Sequence, residues 1–340
     1  DHSDTVEIQQ RDGNVASTLR PLTRGGTHHI GTLGIDLELG TNTQSLRIDL
    51  TGQPSGLHML SGVTAAAAVG DGSSSAEAVG GSGGALDVNV PSGILNSKVV
   101  VTARIDGADV NAGGHVSILS NTASAASSKG DTGGGGIASI GEAHADTTVT
   151  ASSVASVGTD TVILAGGNFT LDSTSDHSTS ATAKSVGGGV FAVKVAETTS
   201  KLTADTRSKF ADRSKITAGK HLSASSTSQS NGFSSSETYA VAYGAFADSD
   251  NTNGDRGVEI LSPATVFVGK GVILDAETVD LDAQIGTTKA EAIAKATSFV
   301  PVLFGVATAF ADAYANVVTP ASVEIAANPA GSSQQTKITG

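Results

Sequence analysis

Val110-Asn111-Ala112-Gly113-Gly114-His115-Val116-Ser117-Ile118 returns as Val162-Ile163-Leu164-Ala165-Gly166-Gly167-Asn168-Phe169-Thr170-Leu171 and again as Ile216-Thr217-Ala218-Gly219-Lys220-His221-Leu222-Ser223. A fourth version reads Val266-Phe267-Val268-Gly269-Lys270-Gly271-Val272-Ile273-Leu274. The central glycines, 113, 166, 219 and 269, are spaced by 53, 53 and 50 residues. A second marker keeps step with the first. Small-residue runs surround Gly83, Gly135, Gly188, Gly244 and Gly305, at spacings of 52, 53, 56 and 61. Two independent markers sharing a period near fifty define a stacked repeat, in which each unit buries its apolar face on its neighbours.

Each unit has the same internal order. Alternating Ala opens it, as in Ser180 to Lys184; a Gly-rich segment follows, as in Val186-Gly187-Gly188-Gly189-Val190-Phe191. An Ala/Thr stretch such as Ala143-His144-Ala145-Asp146-Thr147-Thr148 comes next, and the Ala-Gly phrase closes the unit. Alternation with period two places one set of side chains inward and the other outward, which predicts strands. Helix is the competing reading, strongest for Lys289 to Thr297, because Ala is the best helix former. Runs of about eight residues flanked by Gly, Ser and Thr are poor helices, however. The fold expected is all-β: a parallel β-helix (β-solenoid) with about two coils per ~52-residue repeat, each coil of roughly 20 to 28 residues, giving a slender rod of roughly ten to twelve coils. A β-propeller shares the period but normally carries aromatic blade signatures, and aromatics are only 4% of this chain.

The repeat divides the sequence. Residues 1–62 are read as variant N-terminal coils, a cap or a junction, with strand-like alternation at Thr5 to Ile8, Ile35 to Leu39 and Leu46 to Leu50. Residues 63–328 form the solenoid, in units of about 63–122, 123–175, 176–228, 229–277 and 278–328, and residues 329–340 read as a C-terminal tail or linker. Composition agrees with a narrow interior: 42 glycines, no Trp, and an apolar share of 38% drawn mostly from Ala and Val. The regular return of Val, Ile and Leu argues against disorder, the usual fate of Ser/Gly-rich chains. A net charge of −13 excludes a nucleic-acid partner, which needs clustered Lys and Arg. With no cysteine there is neither a disulfide framework nor a thiolate metal site. The apolar stretch from Phe299 to Ala311, interrupted by Pro301, is too short for a membrane-spanning helix.

The alternating Ala-Gly phrase at Ile216 to Ala224, preceded by Ala/Gly-rich blocks such as Ala181 to Val190, resembles the repeat region of large secreted bacterial exoproteins, the filamentous haemagglutinin-like adhesins. The likeness covers Val63 to Asn328. It implies a right-handed β-helical shaft, an extracellular or cell-surface location, and a structural or adhesive role without catalysis. The expected partners are further segments joined end to end, or glycans on a neighbouring surface.

The most site-like segment runs from Asp248 to Glu259. With Asp248 at position 1, Asp250 falls at 3, Thr252 at 5 and Glu259 at 12, an oxygen-ligand spacing suited to calcium. Asp248, Asp250, Asp255 and Glu259 are therefore the candidate calcium ligands, and the alternative is a polar insertion built from turn residues. Gly80 to Asp87 resembles a β-roll calcium nonapeptide but has Ala85 where the ligand belongs. His115, His144, His177 and His221 fall in different units and read as surface residues. Asp146, Asp205 and Asp275 recur about once per unit, the minimum for a polysaccharide-active β-helix enzyme, but their spacing suits coil corners. Thr147 to Thr150 and Thr198-Thr199 are the residues from which a glycan- or ice-binding hydroxyl ladder would be built.

Overall fold

A computed structural model describes residues 15–17, 32–39, 48–49, 60–251, 257–301, 305–328 and 335–340, with side chains from residue 73 onward apart from 82, 84 and 251. The described residues are almost entirely strand, and the long strands Leu60–Asn89, Asp109–Val157, Phe169–Phe210, His221–Asn251 and Thr278–Phe299 pair in parallel. The fold is a parallel β-solenoid.

Its pitch corrects the expected geometry. Val116 pairs with Phe169 and Phe169 with Leu222, and the 53-residue offset persists along the whole length of both pairings. One repeat is therefore one coil, not two, and residues 62–340 make about five coils rather than ten to twelve. At about 4.8 Å per coil the stack is roughly 24 Å high. The cause is the length of each coil's straight sides. Taking the coil of residues 116–168, a first wall runs over 116–132, the chain reverses at the glycines of 133–136, and a second wall returns over 138–157. A base closes the coil through the short strand Val162–Ala165. At 3.3 Å per residue each wall is about 60 Å long, so the molecule is a flat blade wider than it is tall.

Hydrogen bonds across the interior show the two walls facing each other. The bonded partners lie 33 residues apart at Ser120–Ser153 and 19 apart at Thr147–Ser128, while in a later coil Ser236 and Ser249 are 13 apart. The separation shrinks toward the tip, as it must where one chain folds back on itself. Close approach explains the tip glycines: a Cβ on Gly187 would lie 2.3 Å from the carbonyl oxygen of Gly134 in the coil below. Along the walls, Gly130 faces the His144 backbone so closely that a Cβ would sit 2.1 Å from its carbonyl oxygen.

The core has two compartments. Around the base, ladders of large apolar residues run along the axis: Val116–Phe169–Leu222, Ile163–Ile216–Leu274 and Val157–Phe210–Val268, all buried. The rings of Phe169 and Phe210 stand 6.1 Å apart in the middle of this compartment. Toward the tip the interior is lined instead by Ala143, Ala145, Ala181 and Ala196, and by serine and threonine hydroxyls that bond across the gap. Small side chains let the walls approach, and cross-wall bonds satisfy the polar atoms that this approach buries.

Drift from the ideal period is confined to the later coils. Gly83–Gly135–Gly188 do stack, but Val241 lies over Gly188, and Gly244 lies over Phe191. Leu274 and Asp275 lie over Ile216 and Thr217, which places Glu277 rather than Gly269 at the level of Gly219. A second column is invisible in composition. Gly107, Asp160, Arg213 and Gly271 take the same corner in successive coils with φ of 60°, 55°, 61° and 66°. The corner needs a left-handed residue in every turn, and two coils fill it with a non-glycine. In the N-terminal region, Thr32–Leu39 and Ile48–Asp49 each pair in parallel with the coil that follows, as parts of one coil do. Thr5 to Ile8 lie outside the described residues. The stretch expected to be a tail ends in a strand, Lys337–Thr339, paired with Ile273–Asp275.

Candidate functional site

Strand alternation decides which candidate residues reach the surface. Asp248 and Asp250 sit on outward positions at the end of the strand His221–Asn251, over Val195 and Glu197. The pairing offset then changes from 53 at Asp250–Glu197 to 58 at Gly257–Thr199, so five extra residues enter at this point. Glu259 lies over Lys201 and pairs with its ammonium at 2.7 Å. Because Glu197 and Lys201 are four residues apart on one strand, the backbones of Asp250 and Glu259 stand about 13 Å apart. The structure thus keeps Asp248 and Asp250 together and sends Glu259 to a different partner, while Asp255 lies outside the described residues.

A different acidic group is assembled from two coils. His144 Nε2 lies 2.8 Å from Glu142 Oε1, and His144 Nδ1 lies 3.0 Å from Glu197 Oε2. One ligand atom from each residue falls within 4.8 Å of the others, and all three side chains are half-buried. Asp250 follows over Glu197 and Asp312 over Asp250, extending the acidic column along the axis. Glu142, His144 and Glu197 are the residues placed to hold a metal ion. As they stand, each ring nitrogen meets one carboxylate, and the imidazole ties the two glutamates together. His144 is therefore not a solitary surface histidine. Sequence spacing hid this, because Glu197 arrives from the next coil, directly over His144 in the pairing.

Two further titratable groups are turned inward. His177 is buried, with Nδ1 2.8 Å from Ser124 Oγ and Nε2 3.2 Å from Thr122 Oγ1, both on the coil below. Burial lowers its pKa to about 4. Lys194 is also fully buried, donating to Ser139 Oγ at 2.7 Å, while Ser139 donates to Asp87 Oδ2 at 3.1 Å. Burial lowers the lysine pKa and the Asp87 charge opposes that shift. Gly141 and Gly187 leave the volume the lysine occupies, since a Cβ on either would meet its side chain.

No family model, curated protein or solved structure matches the chain. Its function has to be argued from the coil itself. Asp146, Asp205 and Asp275 take three different places around the coil: Asp146 lies beneath Thr199, Asp205 over Ser152 beside Arg207, and Asp275 over Thr217 at the base. They do not converge. The threonines divide between the two faces: Thr147 and Thr198 are buried and bonded across the interior, to Ser128 and Ser234, whereas Thr148 and Thr199 are half-buried on the outward side. Lys201 and Asp146 are the partners of Thr148 and Thr199 in neighbouring coils, so these two threonines do not stack on each other, while Thr150 lies beneath Thr203. Among the described residues no helix is long and apolar enough to cross a membrane.

Proposed function

We propose that this chain is a non-catalytic structural segment of an extracellular surface fibre, a β-solenoid shaft that joins end to end with further coils of the same kind. The observation that carries this reading is the condition of the last described coil. Val279, Leu281 and Ala283 occupy the inward positions that Leu222, Ala224 and Ser226 fill one coil below, yet they are only half-buried while the lower residues are fully covered. Among the described residues the strand Thr278–Phe299 pairs on one side with His221–Asn251, and its other side is one on which a further coil could be laid. A further coil laid on it at about 4.8 Å would bury that row and continue each ladder. The filamentous adhesin resemblance points the same way. On this reading the acidic outer wall, with Glu142, Glu197 and Asp250, keeps the shaft soluble.

Electron microscopy of the purified chain over rising concentration tests the reading. Filaments of constant width are expected, lengthening by stacking. Replacing Val279 and Leu281 with lysine should cap that end and leave short particles. Dispersed single blades at every concentration would argue against end-to-end joining.

A further inference from the structure

The outward face just past the Gly tip differs from the rest of the blade. On the first wall, outward positions carry Asn121, Thr170, Asp172, Thr174 and Asp176. Past the tip they carry Leu86 and Val88, then Ile137 and Ile140, then Val190, Phe191 and Val193, coil by coil. Leu86, Ala138, Phe191, Gly244 and Val306 form one axial row, and Val88, Ile140, Val193, Phe246 and Thr308 the next. Neither row contains an ionisable residue in any of five coils, in a chain of net charge −13. The apolar members are exposed, Leu86 by 68%, Val88 by 56%, Phe191 by 61% and Val306 by 72%, and Ile137 beside them by 60%. At the upper end the ring of Phe310, from the adjacent row over Asp248, packs 5.8 Å from that of Phe246.

From this stripe we infer a lateral interface at which a second copy of the same chain docks edge to edge. Three arguments select that occupant. Area is the first: nine large apolar residues, Leu86 to Phe310, between 38% and 72% exposed, amount to on the order of 800 Å², which is what one partner contributes to a standard interface and exceeds the largest patch of an ordinary monomer. Repeat spacing is the second. The rows recur at about 4.8 Å along the axis, and a surface with the same rise is the one whose side chains interdigitate with them over all five coils. Charge is the third. Copies carrying −13 repel one another over most of their surface, and this uncharged strip is where they can approach. The same charge disfavours an anionic lipid surface. The contact is independent of end-to-end joining, because it runs along the stack rather than across its end.

The test compares the wild-type chain with Ile140→Lys/Phe191→Lys by sedimentation equilibrium, from micromolar to millimolar protein, with the Val279→Lys and Leu281→Lys changes in both to suppress stacking. Wild-type blades are expected to dimerise, and the double-lysine variant to weaken that association by about tenfold or more, although it lowers the net charge that opposes contact. Because both side chains are exposed, the variant should keep its β-sheet circular dichroism. A second readout uses the lack of cysteine in the chain. Ile137→Cys should oxidise to a disulfide-linked dimer much faster than Asp176→Cys on the polar wall. Monomers at all concentrations, with equal crosslinking of the two cysteine variants, would overturn the inference. Wild-type binding to phosphatidylcholine vesicles without self-association would also overturn it, assigning the stripe to a lipid surface.

Discussion

At the scale of single residues, the interior holds ionisable groups that most small-residue solenoids would not need. Burial favours the neutral form of His177, whose two ring nitrogens are met by the hydroxyls of Thr122 and Ser124. Its folded pKa of about 4 lies below the ordinary value of 6.5, so between those values the unfolded chain binds more protons. The stability due to His177 is therefore complete above about pH 6.5 and is lost as the pH falls toward 4, by about 3 kcal/mol in all. Urea midpoints measured from pH 4 to pH 8 should show that loss, and His177→Asn should flatten the curve over the same range. Sequence alone placed His177 on the surface. The error is physical: alternation assigns a residue to one of two faces only once the register is known, and the partners at Thr122 and Ser124 lie a whole coil away.

Among the elements, the tip shows which glycines are obligatory. Gly187 faces a backbone oxygen where a Cβ would need to go, whereas nothing lies within 4 Å of a Cβ built on Gly133. Gly187→Ala should therefore lose about 1–3 kcal/mol through forced separation of adjacent coils, while Gly133→Ala should be neutral or slightly stabilising. Thermal melts of the two variants side by side check the contrast. The repeat itself was legible in the Ala-Gly phrase, because Gly113, Gly166 and Gly219 do stack; the hydrogen bonds from Gly166 to Ala112 and from Gly219 to Ala165 confirm their register. Coil size was not legible. Both long and short coils alternate with period two, and only the pairing of Val116 with Phe169 distinguishes one 53-residue turn from two of half that length. The Glu142–His144–Glu197 group was hidden for the same reason, and the change of offset after Asp250 moved Gly269 away from the column of Gly219 that it seemed to continue.

For the whole molecule, the constant register makes a coil a removable part. Val279 lies over Leu222, and Leu222 over Phe169. Deleting residues 222–278 would set Val279 directly on Phe169 and leave His177, Lys194 and Asp87 in place. The shortened chain should fold to a stack one coil lower, with a similar circular dichroism spectrum per residue. A deletion of half that length, starting at the same residue, should misfold, because it would place second-wall residues over a first wall. Small-angle scattering and circular dichroism of the two deletions distinguish a single broad turn from a pair of narrow ones.

The breadth of each turn also governs how such a chain can acquire its structure. A residue meets its ladder partner, 53 positions away, only after the chain between has been threaded round, so closing the first circuit costs about 3–4 kcal/mol in loop entropy before any ladder forms. Among the described residues from Leu60 onward every strand pairing joins one coil to the next, so no hairpin within a coil serves as a nucleus there. Once one circuit exists, its edge supplies a finished template for the next, and growth becomes sequential from an established end. Slow initiation followed by winding from an established edge is the folding behaviour expected of this topology, and a lag in refolding that shortens when a preformed coil is supplied would reveal it.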